Sequence, residues 1–379
     1  MASARATSTT TSRIERSGLR TSERAFTVAK TTIGLDIGTS AVRAAEIRGA
    51  DPGVLIRFAQ LSLPAGSVVG GEITDTEAVA AVIRDLWKQG EFKGKRVAVG
   101  VANQSVVVRQ VDVPKMDEAE LASALRYQVQ DYIPMSMDDA LLDFMVLDEF
   151  EGEDHAPMLR VLAVAAQKDM VANVMAVLDR AGLEPVMVDL APLAAMRALV
   201  EPIPSILNER SAEAIIDIGA GVTNVIVHED GTPRFVRILP SGGNDITNAL
   251  VAELHASVDD AEAQKRVVGL QPEGASVEAG VATVIEQRAR AFIDDVRRSI
   301  DFYQSSPDQA KIARVLVIGG GSRLPRLAER LATALRLPVE EGQSFSRVKI
   351  SDDIRLSDEQ LAEASRVAAT VIGLALEPS

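Results

Sequence analysis

The stretch Ile33-Gly34-Leu35-Asp36-Ile37-Gly38-Thr39-Ser40-Ala41-Val42-Arg43-Ala44-Ala45-Glu46-Ile47 decides how this chain is read. An apolar run leads to one aspartate, a Gly-Thr-Ser turn follows, and a second β-prone run begins at Val42. The pattern predicts two strands joined by a tight turn. Backbone N–H groups and hydroxyls gather at the tip with a carboxylate beside them. Such N–H groups favour an anion, and the carboxylate suits a hydrated Mg²⁺. Taken alone, the stretch is equally an ordinary hairpin with a glycine turn.

The rest of the chain bears on that choice. At Ala214–Val227 the pattern returns as Asp217-Ile218-Gly219-Ala220-Gly221-Val222-Thr223-Asn224, again between two β-prone runs and 181 residues after its first appearance. A long-period repeat implies two halves built alike. If both tips face one cleft, two carboxylates and two sets of N–H donors converge there, which suits a triphosphate and its metal. A third signal follows at Val315, where an apolar strand runs into Gly319-Gly320-Gly321-Ser322 and then a helix with Pro325 in its first turn. Residues without side chains let a flat group or a phosphate approach the backbone closely. Leu324 stands where a dinucleotide fingerprint needs glycine, and no P-loop or nucleophile-elbow motif occurs.

Composition narrows the function further. The 379 residues carry a net charge of −14 with 3% aromatics, which argues against nucleic-acid binding. The chain has no cysteine, so disulfides, thiolate zinc sites and a cysteine nucleophile are excluded. His155, His228 and His255 are scattered and predict no multi-histidine metal site. No apolar run approaches the roughly 20 residues needed to span a bilayer, so direct membrane insertion is not expected.

In chain order, residues 1–30 are Ser/Thr/Arg-rich with a net charge of +4, leaving −18 on the rest, and read as a disordered basic tail. Residues 31–104 and 167–205 read as a first α/β lobe, with a helix at Thr74–Gln89 carrying one apolar stripe. Residues 105–166 read as an inserted α+β subdomain in the order strand, helix, strand, strand, with Asp117 capping the helix. Residues 206–240 and 311–379 read as the second lobe. Residues 241–310 form its helical subdomain, with a Gly242-Gly243 pair before one helix and a long helix at Val277–Gln304. Asp294, Arg297 and Arg298 on that helix are candidates to frame a base and ribose. The final helix, Asp358–Leu376, is expected in the core of the second lobe.

The three motifs in this order resemble the two phosphate motifs and the adenosine motif of the actin/Hsp70/sugar-kinase superfamily. Val113-Pro114, Glu120-Leu121, Tyr127 and Tyr132-Ile133-Pro134 in the insertion resemble the PilM family of type IV pilus assembly proteins, in the FtsA-like branch. The resemblance covers about residues 31–376. It implies a duplicated, RNase H-like actin fold with ATP and Mg²⁺ between the lobes. The nucleotide would be held by Asp36, Gly38, Thr39, Ser40, Asp217, Gly219, Gly221, Thr223, Asn224, Gly243, Arg298, Gly319, Gly320, Gly321 and Ser322. Asp36 and Asp217 would hold the Mg²⁺ through water. The resemblance further implies a cytoplasmic protein, peripheral at the inner face of the cytoplasmic membrane. It would be recruited there by the N-terminal tail of a PilN-like bitopic protein, with the pilus motor ATPases and self-association as further contacts. An FtsA-like division protein and a sugar kinase of the same superfamily are the alternatives. Actin-like hydrolases place Glu or Gln at the start of the helix between the lobes; this chain has Ala191 there, two residues after Asp189. Slow or absent hydrolysis is therefore expected.

Overall fold

The computed structural model describes residues 31–49, 52–152, 155–200, 211–272, 280–306 and 309–376. The expected basic tail at 1–30 lies outside them. The chain opens with β1 (Thr31–Ile37), β2 (Ala41–Arg48) and β3 (Gly53–Ser62), followed by the short pair β4 (Val68–Val69) and β5 (Glu72–Ile73). Helix α1 (Thr76–Gln89) and β6 (Arg96–Val101) come next. The insertion comprises β7 (Val106–Pro114), α2 (Glu118–Val129), β8 (Ala140–Glu151) and β9 (Pro157–Gln167). Helix α3 (Lys168–Ala181), β10 (Glu184–Leu190) and α4 (Ala191–Leu199) complete the first half. The second half runs β11 (Ser211–Ile218), β12 (Thr223–Glu229), β13 (Thr232–Leu239), α5 (Gly243–Leu254), α6 (Val258–Val268), α7 (Val281–Ser305), β14 (Lys311–Ile318), α8 (Leu327–Leu335), β15 (Val339–Glu341), β16 (Val348–Ile350), α9 (Asp358–Ser365) and α10 (Ala369–Ala375).

Two sheets carry the duplication. The first has the order β10-β6-β1-β2-β3-β16 and the second β13-β12-β11-β14-β15. In each, an antiparallel meander of three strands is extended by parallel strands beside its first member. The sequence dictates the details. In α1, Asp75 caps the helix by accepting from the Ala78 N–H at 2.9 Å, and Val79, Ala80, Ile83 and Leu86 form its buried stripe. Asp117 caps α2 as expected, accepting from the Glu120 N–H at 2.8 Å. The insertion is a sheet of order β7-β9-β8 with α2 packed on one face through Leu121, Leu125 and Val129. Val106, Val108 and Leu162 on the other face join the larger core, which is built mostly from the first lobe and includes Ile215, Ile226 and Val236 of the second.

The expected domain boundary at the end of the chain is corrected. The predicted single helix at Asp358–Leu376 is two helices, and the second belongs to the first sheet. Helix α10 packs on β1, β2, β6 and α4, and β16 pairs in parallel with β3. The reason is compositional: apart from Thr370, Ala-Thr-Val-Ile-Gly-Leu-Ala is apolar on every side, so α10 needs a site covered all round. It finds one against α4, where a Cβ on Gly373 would lie 1.6 Å from the Ala194 carbonyl oxygen. Helix α4 also touches β11 and β12 of the second sheet, so α4 and α10 form the joint between the lobes. The long helix begins at Val281; positions 277–279 lie outside the described residues. Helix α6 was not expected from the sequence.

Candidate functional site

The tips of both repeated hairpins open into one cleft of about 790 Å³ between the lobes. That is the size of a small-ligand site. Each tip is closed by the same turn: Gly38 N–H donates to the Ala41 carbonyl at 3.0 Å, and Gly219 N–H to the Val222 carbonyl at 2.9 Å. Asp36 stands opposite Arg43 in the β1–β2 register, and Asp217 stands opposite Asn224 in the β11–β12 register. Arg43 Nη1 donates to Asp36 Oδ2 at 3.2 Å while its Nε donates to Gln60 Oε1 at 2.8 Å. The side chains of Asn224 and Thr370 hydrogen-bond to Asp217. Thr370 comes from α10, so the helix of the first lobe reaches the carboxylate of the second.

The electrostatics follow from burial. Burial pushes the Asp36 carboxyl up, and the neighbouring Arg43 guanidinium only partly offsets this. Asp217 is pushed up to about 6, first by burial and then by the charge of Asp36, against the pull of Arg43, Asn224 and Thr370. The charge of Asp36 thus disfavours that of the buried Asp217, and a cation beside the two carboxylates is favoured.

The remaining walls come from glycines and α6. Gly319, with φ 85°, turns the chain after β14; a Cβ there would lie 2.5 Å from Asp217 Oδ1. Gly320 and Gly321 continue that wall, and Gly243 at the start of α5 faces it. Gly243 and Asn244 N–H groups donate to the Gly219 and Ala220 carbonyls at 3.0 and 2.7 Å, locking α5 to the second hairpin tip. Lys265 of α6, 9% exposed, donates to the Gly243 carbonyl at 3.0 Å and lies 2.5 Å from Glu262 Oε2. Burial would raise the Glu262 carboxyl, but the hydrogen bonds from Lys265 and Thr247 hold it below its ordinary range. An ammonium and a carboxylate side by side suit a diol such as that of ribose.

Of the residues singled out from sequence, Asp36, Gly38, Thr39, Ser40, Asp217, Gly219, Asn224, Gly243, Gly319, Gly320 and Gly321 line the cleft. Six stand elsewhere, among them Asp294 and Arg297, which pair with each other on α7. Thr223 is buried and donates to the Ser241 carbonyl at 2.8 Å. Ser322 donates to the Gly319 carbonyl at 2.8 Å and so holds the glycine turn from behind. Gly221 permits contact between the hairpin tips, since a Cβ there would lie 2.9 Å from Thr39 Oγ1. Arg298 is outside the site: its side chain is 63% exposed and paired with Asp295. Helix α7 presents Ala289 and Phe292 to the cleft, and six positions beyond Phe292 is about 240° further round the helix. Sequence reasoning missed Arg43, Glu262, Lys265 and Thr370. Their spacing is that of any amphipathic element, so only proximity in the fold marks them.

Ala191 lines the cleft at the first position of α4. Asp189 does not line it; its carboxylate accepts from the Leu190 N–H at 2.7 Å and is paired with Arg197. Among the described residues no group of three or more Asp, Glu or His side chains gathers to hold a metal alone. The donors present are two carboxylates and the Asn224 Oδ1, which is buried and without a hydrogen-bond partner. Hard oxygen donors in that small number fit a Mg²⁺ that keeps waters and takes further oxygens from a ligand.

Comparison with known proteins agrees with this geometry. A solved chain of the PilM-PilN type IV pilus biogenesis complex is similar with 28% identity and a TM-score of 0.78, covering 92% of this chain and 99% of that one. The ethanolamine utilization protein EutJ from Carboxydothermus hydrogenoformans, 15% identical, shares the fold with a TM-score of 0.50 over 92% of this chain and 90% of its own. The cell division protein FtsA of Neisseria meningitidis is 26% identical over 375 residues, covering 85% of this chain and 86% of that protein. The family model for the type IV pilus assembly protein PilM matches residues 34–379. The chain has a two-lobed, actin-like α/β fold and belongs to the PilM family of type IV pilus assembly proteins.

Proposed function

We infer that this chain is an ATP-binding scaffold of a type IV pilus inner-membrane platform, recruited to the cytoplasmic face of the membrane by the N-terminal tail of a PilN-like protein. The observation that carries the nucleotide part is the convergence of Asp36 and Asp217, each beside a turn rich in N–H donors, on one cleft between the lobes. Gly38, Thr39 and Ser40 on one side and Gly219 on the other would receive phosphates. The Gly319–Gly321 wall and the Glu262–Lys265 pair would receive the nucleoside. When bound, Mg²⁺ would supply positive charge to the phosphates, with Asp36 and Asp217 orienting its waters.

Hydrolysis is slow or absent on this reading. Helix α4 offers the cleft only the methyl group of Ala191, and Asp189 is tied to Arg197. No side chain of α4 therefore orients an attacking water, help worth roughly 10²–10⁴ in rate.

The partner part rests on family membership and on the insertion. Leu141 and Met145 of β8 are 45% and 44% exposed, on the same sheet face as the buried Val106 and Val108 of β7. With Asp143 between them on the same face, these two apolar side chains suit an extended peptide that carries apolar residues and a basic or polar one. Contacts with the pilus motor ATPases and self-association belong to the same reading. Among the described residues no helix is long and apolar enough to cross a membrane. The test is capture of this protein on an immobilised PilN-like tail with and without ATP·Mg²⁺. Nucleotide-strengthened capture, lost in Met145→Asp, is expected; binding to protein-free anionic vesicles with no capture on the tail would favour an FtsA-like role instead.

A further inference from the structure

The inserted subdomain touches the second lobe as well as the first. Strands β7 and β8 both meet β13, the outer strand of the second sheet. At the centre of this contact is Arg234 of β13, whose side chain is 11% exposed. Both terminal nitrogens of its guanidinium reach the Asp148 carboxylate of β8, Nη2 to Oδ1 at 3.2 Å. Its Nε lies 3.3 Å from Glu229 Oε2. Glu229 is 4% exposed and is held in place by the Tyr303 hydroxyl and the Ala310 N–H, each at 3.1 Å. The cation is thus fixed by its own lobe and offered to the insertion.

Asp148 is aimed at it by an irregularity in β8. The ladder pairs Val146 with Val161 and then Asp148 with Arg160, so Leu147 is passed over. In a regular ladder Leu147 would occupy the place of Asp148. A bulge of this kind re-aims a side chain. Arg160, across the ladder from Asp148, is engaged by Asp112 through two nitrogens, at 2.9 and 3.2 Å.

The insertion is tied to the first lobe by the chain at both ends, β7 following β6 and β9 running directly into α3, while Val106, Val108 and Leu162 are buried in a core to which both lobes contribute. The Arg234–Asp148 pair is therefore a strut between the lobes. It stands apart from the α4–α10 joint and from the cleft, which neither residue lines. A rotation of the lobes about the joint must stretch or turn a bidentate pair whose Arg234 side chain is buried and whose Asp148 side chain is half-buried, and such pairs have narrow geometric tolerance. We propose that the Arg234–Asp148 pair is a latch that fixes the separation of the two lobes and thereby sets how long the cleft holds its ligand. The second half of that statement rests on the nucleotide reading given above.

The test uses the full chain. Because it has no cysteine, Lys88→Cys on α1 and Glu329→Cys on α8 give two labelling sites, one per lobe, at side chains that are 77% and 62% exposed. Spin labels there report the inter-lobe distance without nucleotide. The parent is expected to give one narrow distribution, and Asp148→Asn one about twofold broader or shifted, as expected of a released two-state contact. Asp148→Glu should restore the narrow form. Arg234 is not the first choice, because its removal also takes the cation from beside the buried Glu229. An unchanged distribution in Asp148→Asn overturns the latch whether or not nucleotide binds. Release of a fluorescent ATP analogue is then expected to be about 5–20-fold faster in Asp148→Asn than in the parent, the usual size of coupling between separate sites. A variant with a broadened distribution but an unchanged release rate overturns the link to ligand retention. A parent that binds no analogue at all counts against the nucleotide reading and leaves the distance result standing.

Discussion

Arg43 and Asn224 occupy the same place in two copies of one hairpin. Each lies seven residues after its aspartate and directly across the antiparallel ladder from it, Arg43 facing Asp36 and Asn224 facing Asp217. One half of the duplicated clamp is therefore cationic and the other neutral. The cation offsets the cost of holding two carboxylates in one cleft, and Asn224 leaves an acceptor free beside the second.

Removing that cation should weaken anion binding at the site. Arg43→Ala is expected to lower affinity for ATP·Mg²⁺ by about 10–100-fold, the range for losing a charge-assisted hydrogen bond. Isothermal titration checks this. An affinity within threefold of the parent would show that the guanidinium serves only Asp36 and not the ligand.

Asp217 should make the ligand-free protein less stable as pH rises. Its folded-state carboxyl is raised from the ordinary 3.8 to about 6, so the folded protein binds this proton more tightly than the unfolded chain. The stabilisation is complete below the ordinary value and is lost as pH rises through the interval to about 6, on the order of 3 kcal/mol. Asp217→Asn removes the charge and should raise the unfolding midpoint at pH 7 while abolishing Mg²⁺-dependent nucleotide affinity. Thermal unfolding at pH 5 and pH 7 for both proteins decides the sign; a lower midpoint for the variant at pH 7 would contradict it.

Ala191 should be the position that limits turnover. Phosphate release by the parent is expected to be barely above background, and Ala191→Glu to raise it by about tenfold or more, within the range of general-base assistance. Fast turnover by the parent, abolished in Asp189→Ala, would refute the inference that α4 supplies no water-orienting group.

The joint between the lobes should tolerate no added atom. Gly373→Ala places a Cβ 1.6 Å from the Ala194 carbonyl oxygen, backbone against backbone, and α4 or α10 must move. A loss of about 3 kcal/mol or more in denaturant unfolding is expected, at the upper end of what overpacking costs. Gly182→Ala, where nothing lies within 4 Å but φ is 74°, is a comparison site, expected to cost only about 1 kcal/mol of local strain.

The sequence by itself determined the duplicated framework. The Asp-Ile-Gly repeat and its flanking β-prone runs are local patterns, and local backbone preference is enough to make each hairpin with its carboxylate at the tip. The strand-helix-strand-strand order of the insertion and the Asp117 cap were legible for the same reason. Tertiary structure decided what depends on contact between distant residues. It placed α10 under the first sheet, because a helix apolar but for one threonine goes where it can be covered, and chain order does not say where that is. It put Lys265, Thr370 and Arg43 at the cleft and left Arg298 in solvent, since the phase of a helix face against its neighbours is set by packing. It also joined Asp148 to Arg234 across 86 residues of chain, through a bulge that no periodicity announces.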